Sequence, residues 1–154
     1  MHHARDDARG VPAEIITPSA ATSGKLLLYL HGGGYVFGSV RSHRHLVSRI
    51  AVAASVEAIQ IDYRLAPEHP YPAQLEDALL AYKHLLAGGY SAGDILVGGE
   101  SAGGNLGVAL TLRLRHEGLE QPAGLYLLSP WLDMTTTGES YAKLASRDLI
   151  HLCP

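Results

Sequence analysis

At 154 residues the chain has room for one compact core, and with 47% apolar and 18% charged residues it can bury one, which excludes a disordered tail as its main character. Twelve Lys and Arg against fifteen Asp and Glu leave a net charge of -3 without a basic run, so neither nucleic acid nor an acidic membrane surface is an expected partner. The longest apolar stretches, such as residues 26–30, fall far short of the ~20 residues of a spanning helix, no hydrophobic leader follows the Met-His-His start, and the lone Cys153 allows no internal disulfide, so the cytosol is the expected location.

Residues 1–12 are polar and aperiodic and are expected to be disordered. Residues 13–17 are a short β-prone run stopped by Pro18, read as a lone edge strand. Residues 25–31 hold a continuous apolar run between Lys25 and His31, ended by Gly32-Gly33-Gly34, the signature of a strand buried on both faces of a parallel sheet. Residues 42–54 space Leu46, Ile50 and Ala53 or Ala54 helically, with Arg41, Arg44 and Arg49 elsewhere, which predicts an amphipathic helix. Residues 56–63 read as the next strand. The segment 64–72 holds three prolines within six residues and must be an ordered turn, in which Arg64 and Glu68 read as a structural ion pair or backbone clamp.

Pro72 suits the start of a helix whose face is Leu75, Leu79, Tyr82 and Leu86 and which stops at Gly88-Gly89. A short strand over 94–98, a helix over about 102–117 and a strand over 123–129 follow, and a weak helical hint lies at 141–144. Strands alternating with helices predict an α/β protein, one domain with a mostly parallel sheet, consecutive strands paired and helices on both faces.

The sharpest chemical signal is Gly99-Glu100-Ser101-Ala102-Gly103, a G-x-S-x-G between a predicted strand and a predicted helix. That turn forces the serine into a strained conformation with its hydroxyl pushed out of the sheet, while the helix start aims free N–H groups at the same spot. A glycine-rich turn capped by serine is the plainer reading. The second signal is His31-Gly32-Gly33-Gly34, also at a strand's carboxyl end, where glycines let backbone N–H groups turn toward a ligand. Both loops belong at the end of the sheet where open α/β folds bind ligands. His43, His45, His69, His84 and His116 have no accompanying carboxylate and cysteine set of the kind zinc requires, so no metal and no cofactor is assigned.

With His31-Gly-Gly-Gly-Tyr35, Asp62-Tyr-Arg-Leu-Ala-Pro-Glu-His69, Gly99-Glu-Ser-Ala-Gly-Gly-Asn105 and Ser129-Pro-Trp-Leu-Asp133 in this order, the chain closely resembles the bacterial hormone-sensitive-lipase family of carboxylesterases, of α/β-hydrolase fold. The resemblance implies a serine esterase of short or medium acyl esters, with Ser101 as nucleophile and the N–H groups of Gly33, Gly34 and Ala102 as oxyanion hole. It implies that His31, with Gly32, supports that loop rather than acting as base, and that Tyr35 and Phe37 line the ester pocket. A non-catalytic small-molecule binder of the same fold, as in plant gibberellin receptors, is the alternative.

The family pattern places a catalytic Asp and then a His after later strands, whereas only one clear strand follows Ser101. The chain therefore reads as a partial α/β-hydrolase without cap helices and C-terminal strands, weak or silent as a catalyst on its own. Asp133 and His151 have the right order for an internal triad, with Asp148 as the weaker acid, but no strand precedes His151 to hold it over Ser101. The strand at 123–129 should be a bare sheet edge with Leu125, Leu127 and Leu128, inviting self-association or a molten state.

Overall fold

The computed structural model describes residues 1–22, 24–144 and 146–147. Its central strand, β3 (Leu26–Leu30), shows how the sheet is built. All five residues are buried, and they alternate between two cores. Leu26, Leu28 and Leu30 join Ile59, Ile61, Ile95 and Val97 on one face, while Leu27 and Tyr29 join Ile16, Val47, Ala51 and Ala58 on the other. A continuous apolar run is what a strand with two covered faces requires.

Around it lie β1 (His2–Asp7), β2 (Pro12–Thr17), β4 (Glu57–Ile61), β5 (Ile95–Glu100) and β6 (Gly124–Leu128), giving one six-stranded sheet in the order β1-β2-β4-β3-β5-β6. β4, β3, β5 and β6 run parallel, whereas β1 and β2 are antiparallel to their neighbours. Helix α1 (Val40–Ala54) covers one face, and α2 (Ala73–Ala87) with α3 (Ala102–His116) covers the other; a short α4 (Glu139–Leu144) follows. No helix among the described residues is long and apolar enough to cross a membrane.

Five sequence expectations need correction. Residues 1–12, expected to lack order, supply β1; its outward polar side chains at the sheet edge leave no apolar alternation to read. For the same reason β2 is internal, between β1 and β4, rather than a lone edge. Consecutive strands do not all pair: β5 returns to the other side of β3 from β4, so the strand order reverses between β4 and β5. Open α/β sheets bind ligands beside such a reversal, at the carboxyl ends of the strands.

The inward face of α1 also differs. Val40, Val47, Ser48 and Ala51 are buried, while Leu46 is 38% exposed. The sheet presents Glu14, only 5% exposed, which takes a two-nitrogen contact from Arg44 and a bond from Gln60, and this sets Arg44 on the same face as Val40, Val47 and Ala51. Burial pushes the Glu14 carboxyl up, but those donors outweigh it and leave it below its ordinary value. The displaced apolar residues Ile50, Ala53 and Ala54 line an open groove of about 730 Å³ with Leu27, Val56, Leu96 and Tyr126.

Finally, Arg64 clamps Asp77 and Glu76, not Glu68: the guanidinium and the Arg64 N–H both reach Asp77, at 2.8 to 3.0 Å. Asp77 is 3% exposed on the first turns of α2, so its charge must be met there, whereas Glu68 can remain in water.

Two phenols, the buried Tyr82 and the half-buried Tyr90, set the behaviour in alkali. Burial is the main cause that pushes Tyr82 and Tyr90 up to about 12; the Tyr82 hydroxyl donates to the Glu120 carbonyl and that of Tyr90 to Glu57. In the unfolded chain these phenols ionise near ~10. Stability contributed by the protonated phenols is therefore complete below pH ~10 and lost as pH climbs through about 12. Thermal melts at intervals from pH 8 to 12 should show Tm falling above pH ~10, with a shallower fall in Tyr82→Phe; a flat profile would contradict this.

Candidate active site

The two glycine-bearing loops leave the carboxyl ends of β3 and β5, which are neighbours with Leu30 opposite Gly99. Ser101 stands between β5 and α3 with φ 52° and ψ -120°, a conformation that a residue with a Cβ adopts only under constraint. The constraint is visible in its backbone: Ser101 N–H donates to the Leu128 carbonyl, and its own carbonyl accepts from Asn105 and Trp131. Its hydroxyl caps no helix N–H, so it is left for other chemistry.

Gly103 joins the two loops. A Cβ there would lie 2.0 Å from the Leu30 carbonyl oxygen and 2.5 Å from that of His31. Only glycine lets the first turn of α3 rest directly on the end of β3. Gly33 has φ 118°, and a Cβ there would fall 2.1 Å from the Phe37 carbonyl, so the loop turn 33–37 depends on it. That turn is closed by Val36 and Phe37 N–H groups donating to the Gly33 carbonyl at 3.1 Å. Among the described residues no carbonyl accepts the N–H of Gly33, Gly34 or Ala102.

His31 is 2% exposed and fixed by its neighbours. Its ring stacks on Tyr63 at 4.2 Å and on His43 at 5.3 Å, its Nδ1 contacts the Gly32 carbonyl at 2.7 Å, and its own carbonyl accepts the Tyr63 hydroxyl. Burial, the largest cause, holds its pKa below the ordinary value, and among the described residues Nε2 has no hydrogen-bond partner.

Tyr35 bonds through its hydroxyl to Asn105, one turn of α3 beyond Ser101. It forms, with Tyr71, Leu75, Asn105, Ala109 and Met134, the wall of a mostly apolar cleft of about 440 Å³. Phe37 stands outside that cleft, 62% exposed.

Asp133 is exposed and its carboxylate is occupied by Thr135 N–H and hydroxyl and by Thr137, contacts that hold its pKa below the ordinary value. Asp148 and His151 lie outside the described residues. Among the described residues no imidazole is hydrogen-bonded to Ser101. Two residues to which the sequence assigns no role also belong to this end of the sheet: Trp131, whose backbone N–H donates to the Ser101 carbonyl at 2.9 Å, and Glu100, bonded to the glycine loop. Their only signal was membership of the quoted motifs.

A family model described as the alpha/beta hydrolase fold matches residues 27–152. An acetyl-hydrolase of Streptomyces hygroscopicus is 42% identical over 138 residues, 90% of this chain and 46% of that protein. An esterase of Acinetobacter venetianus is 41% identical over 131 residues, 85% of this chain and 43% of its own length. The crystal structure of an esterase from the bacterial hormone-sensitive lipase family superposes with a TM-score of 0.91 at 50% identity, over 96% of this chain and 50% of that one. The chain thus spans about half the length of the relatives it matches.

Proposed function

Since the chain belongs to the α/β-hydrolase fold family, we propose that it serves a serine-type carboxylic ester hydrolase acting on esters of short or medium acyl chains. The observation that carries this reading is the juxtaposition at Gly103 of a strained, uncapped Ser101 with a glycine loop in which, among the described residues, no carbonyl accepts the Gly33 and Gly34 N–H groups. Ser101 Oγ attacks the ester carbonyl carbon, and the carbonyl oxygen becomes an oxyanion that accepts from Gly33, Gly34 and Ala102. Collapse breaks the bond to the alkoxy oxygen, the alcohol leaves with the proton given up by the Ser101 hydroxyl, and water then cleaves the acyl-Ser101 ester to the carboxylic acid and the free hydroxyl. Each such donor is worth ~2.7 to 4 kcal/mol in the transition state. His31 and Gly32 support the loop, and the cleft behind Tyr35 accepts an apolar part of the substrate. The intact elbow favours hydrolysis over mere binding.

The experiment is covalent labelling. An alkyl fluorophosphonate should add its phosphonyl group to Ser101, with loss of fluoride, slowly but to one equivalent, read by intact-mass and peptide mass spectrometry. Equal labelling of Ser101→Ala would overturn the reading.

The same proposal includes self-association. Among the described residues β6 ends the sheet, with Leu125 and Tyr126 at 37% and 39% exposure, and Leu96 beside them is 37% exposed. An unpaired apolar edge templates pairing with another chain. Light scattering after size exclusion should give a mass above that of one chain, and a monodisperse monomer would refute it.

A further inference from the structure

Glu100 directly precedes Ser101, yet nothing in the mechanism above uses it. Its carboxylate is surrounded by donors from other elements. Oε1 accepts the Gly32 N–H and faces His43 Nε2 of α1 at 2.8 Å, while Oε2 accepts the Tyr29 hydroxyl of β3 at 2.6 Å. Its contact with Gly32 is intimate enough that a Cβ on Gly32 would lie 2.8 Å from Oε1. His43 has a second task, since its ring also stacks on His31. The residues leading into the proposed oxyanion loop are thus clamped from both sides, His31 between two rings and Gly32 by the carboxylate.

We propose that Glu100 is a positioning residue: its carboxylate, held by Tyr29 and His43, fixes the Gly32 N–H and thereby the direction of the Gly33 and Gly34 N–H groups relative to Ser101. The chemistry also explains how a negative charge is tolerated next to a serine whose reaction develops an oxyanion. An uncompensated carboxylate there would oppose that charge, whereas these oxygens are engaged by the loop amide, a phenol and an imidazole. Glu100 does not touch the Ser101 hydroxyl and takes no proton from it. This role rests on the hydrolase reading, but its test does not.

Hydrogen exchange read by mass spectrometry with electron-transfer fragmentation resolves loop amides in the full 154-residue chain, whatever its state of association. Glu100→Leu removes the acceptor and keeps most of the volume, and it should raise exchange at Gly32 about tenfold or more. Glu100→Gln keeps an oxygen toward Gly32 and should remain within about threefold of the parent. Amides of α2 should be unchanged in both. A side chain that only fills space would make Leu and Gln equivalent, so equal exchange in the two variants, or no change in Glu100→Leu, overturns the proposal. Should α2 also lose protection in Glu100→Leu, Tyr29→Phe and His43→Gln decide the matter. Each removes one support of the carboxylate and should raise Gly32 exchange several-fold, and no rise in either overturns the proposal. Failure of Ser101 to take the fluorophosphonate would sink the hydrolase reading and leave these exchange rates untouched.

Discussion

The 154-residue chain should turn over p-nitrophenyl butyrate at a rate indistinguishable from, or barely above, that of its Ser101→Ala variant. A serine hydroxyl is a weak nucleophile until a base takes its proton, and among the described residues no imidazole is bonded to Ser101. His31, the closest in sequence to the glycine loop, is buried and occupied with Gly32, Tyr63 and His43. In a well-studied serine protease, loss of the base costs ~10⁶ in kcat, while the oxyanion hole and binding alone keep ~10³ to 10⁴ over water. The same magnitudes reconcile silent turnover with slow stoichiometric labelling, because labelling needs one event per chain. Ordinary esterase turnover that disappears in Ser101→Ala would refute the expectation and assign the base's role to His151, with Asp133 or Asp148 as its acid.

Gly103→Ala should cost about 3 kcal/mol of stability, at the upper end of what overpacking usually does. The added methyl would meet two backbone carbonyl oxygens at 2.0 and 2.5 Å, and neither can rotate away as a side chain would. Relief requires the first turn of α3 to move off the end of β3, which separates Ser101 from the glycine loop. For a chain of this size the corresponding fall in Tm is roughly 6 to 12 °C. Gly93→Ala is the control, since a Cβ there meets nothing within 4 Å and no unusual φ opposes it. Circular-dichroism melts of both variants decide the point, and a Gly103→Ala protein melting with the parent would show that the helix does not rest on β3 as described.

What could be read in the sequence follows from where the signals are local. β3, β5, α2 and α3 are announced by runs, spacing and glycines, because each is buried by its own side chains. The elbow and the glycine loop are legible for the same reason: close approach and positive φ demand glycine at fixed places. Features set by partners far along the chain were not legible. α1 faces the sheet with the stripe that carries Arg44 because Glu14 waits on β2, about thirty positions earlier, and either apolar stripe of that helix would have satisfied a periodicity argument. Arg64 chose Asp77 over the nearer Glu68 because only Asp77 is buried. β1 is ordered by main-chain pairing, which leaves little trace in side-chain pattern. Glu100 occupies a motif position that the elbow itself leaves free, so its bond to Gly32 appears only once β3 and β5 lie side by side.

The central claim is that Ser101 and the Gly33, Gly34 and Ala102 N–H groups form one site. A crystal structure of the chain carrying a phosphonyl group on Ser101 tests it directly, because the phosphoryl oxygen stands where the oxyanion of an ester would be. It should lie about 2.7 to 3.1 Å from these backbone nitrogens, with the loop and Glu100 unmoved. A phosphoryl oxygen pointing into solvent, or held by other groups with the glycine loop turned away, would contradict the account.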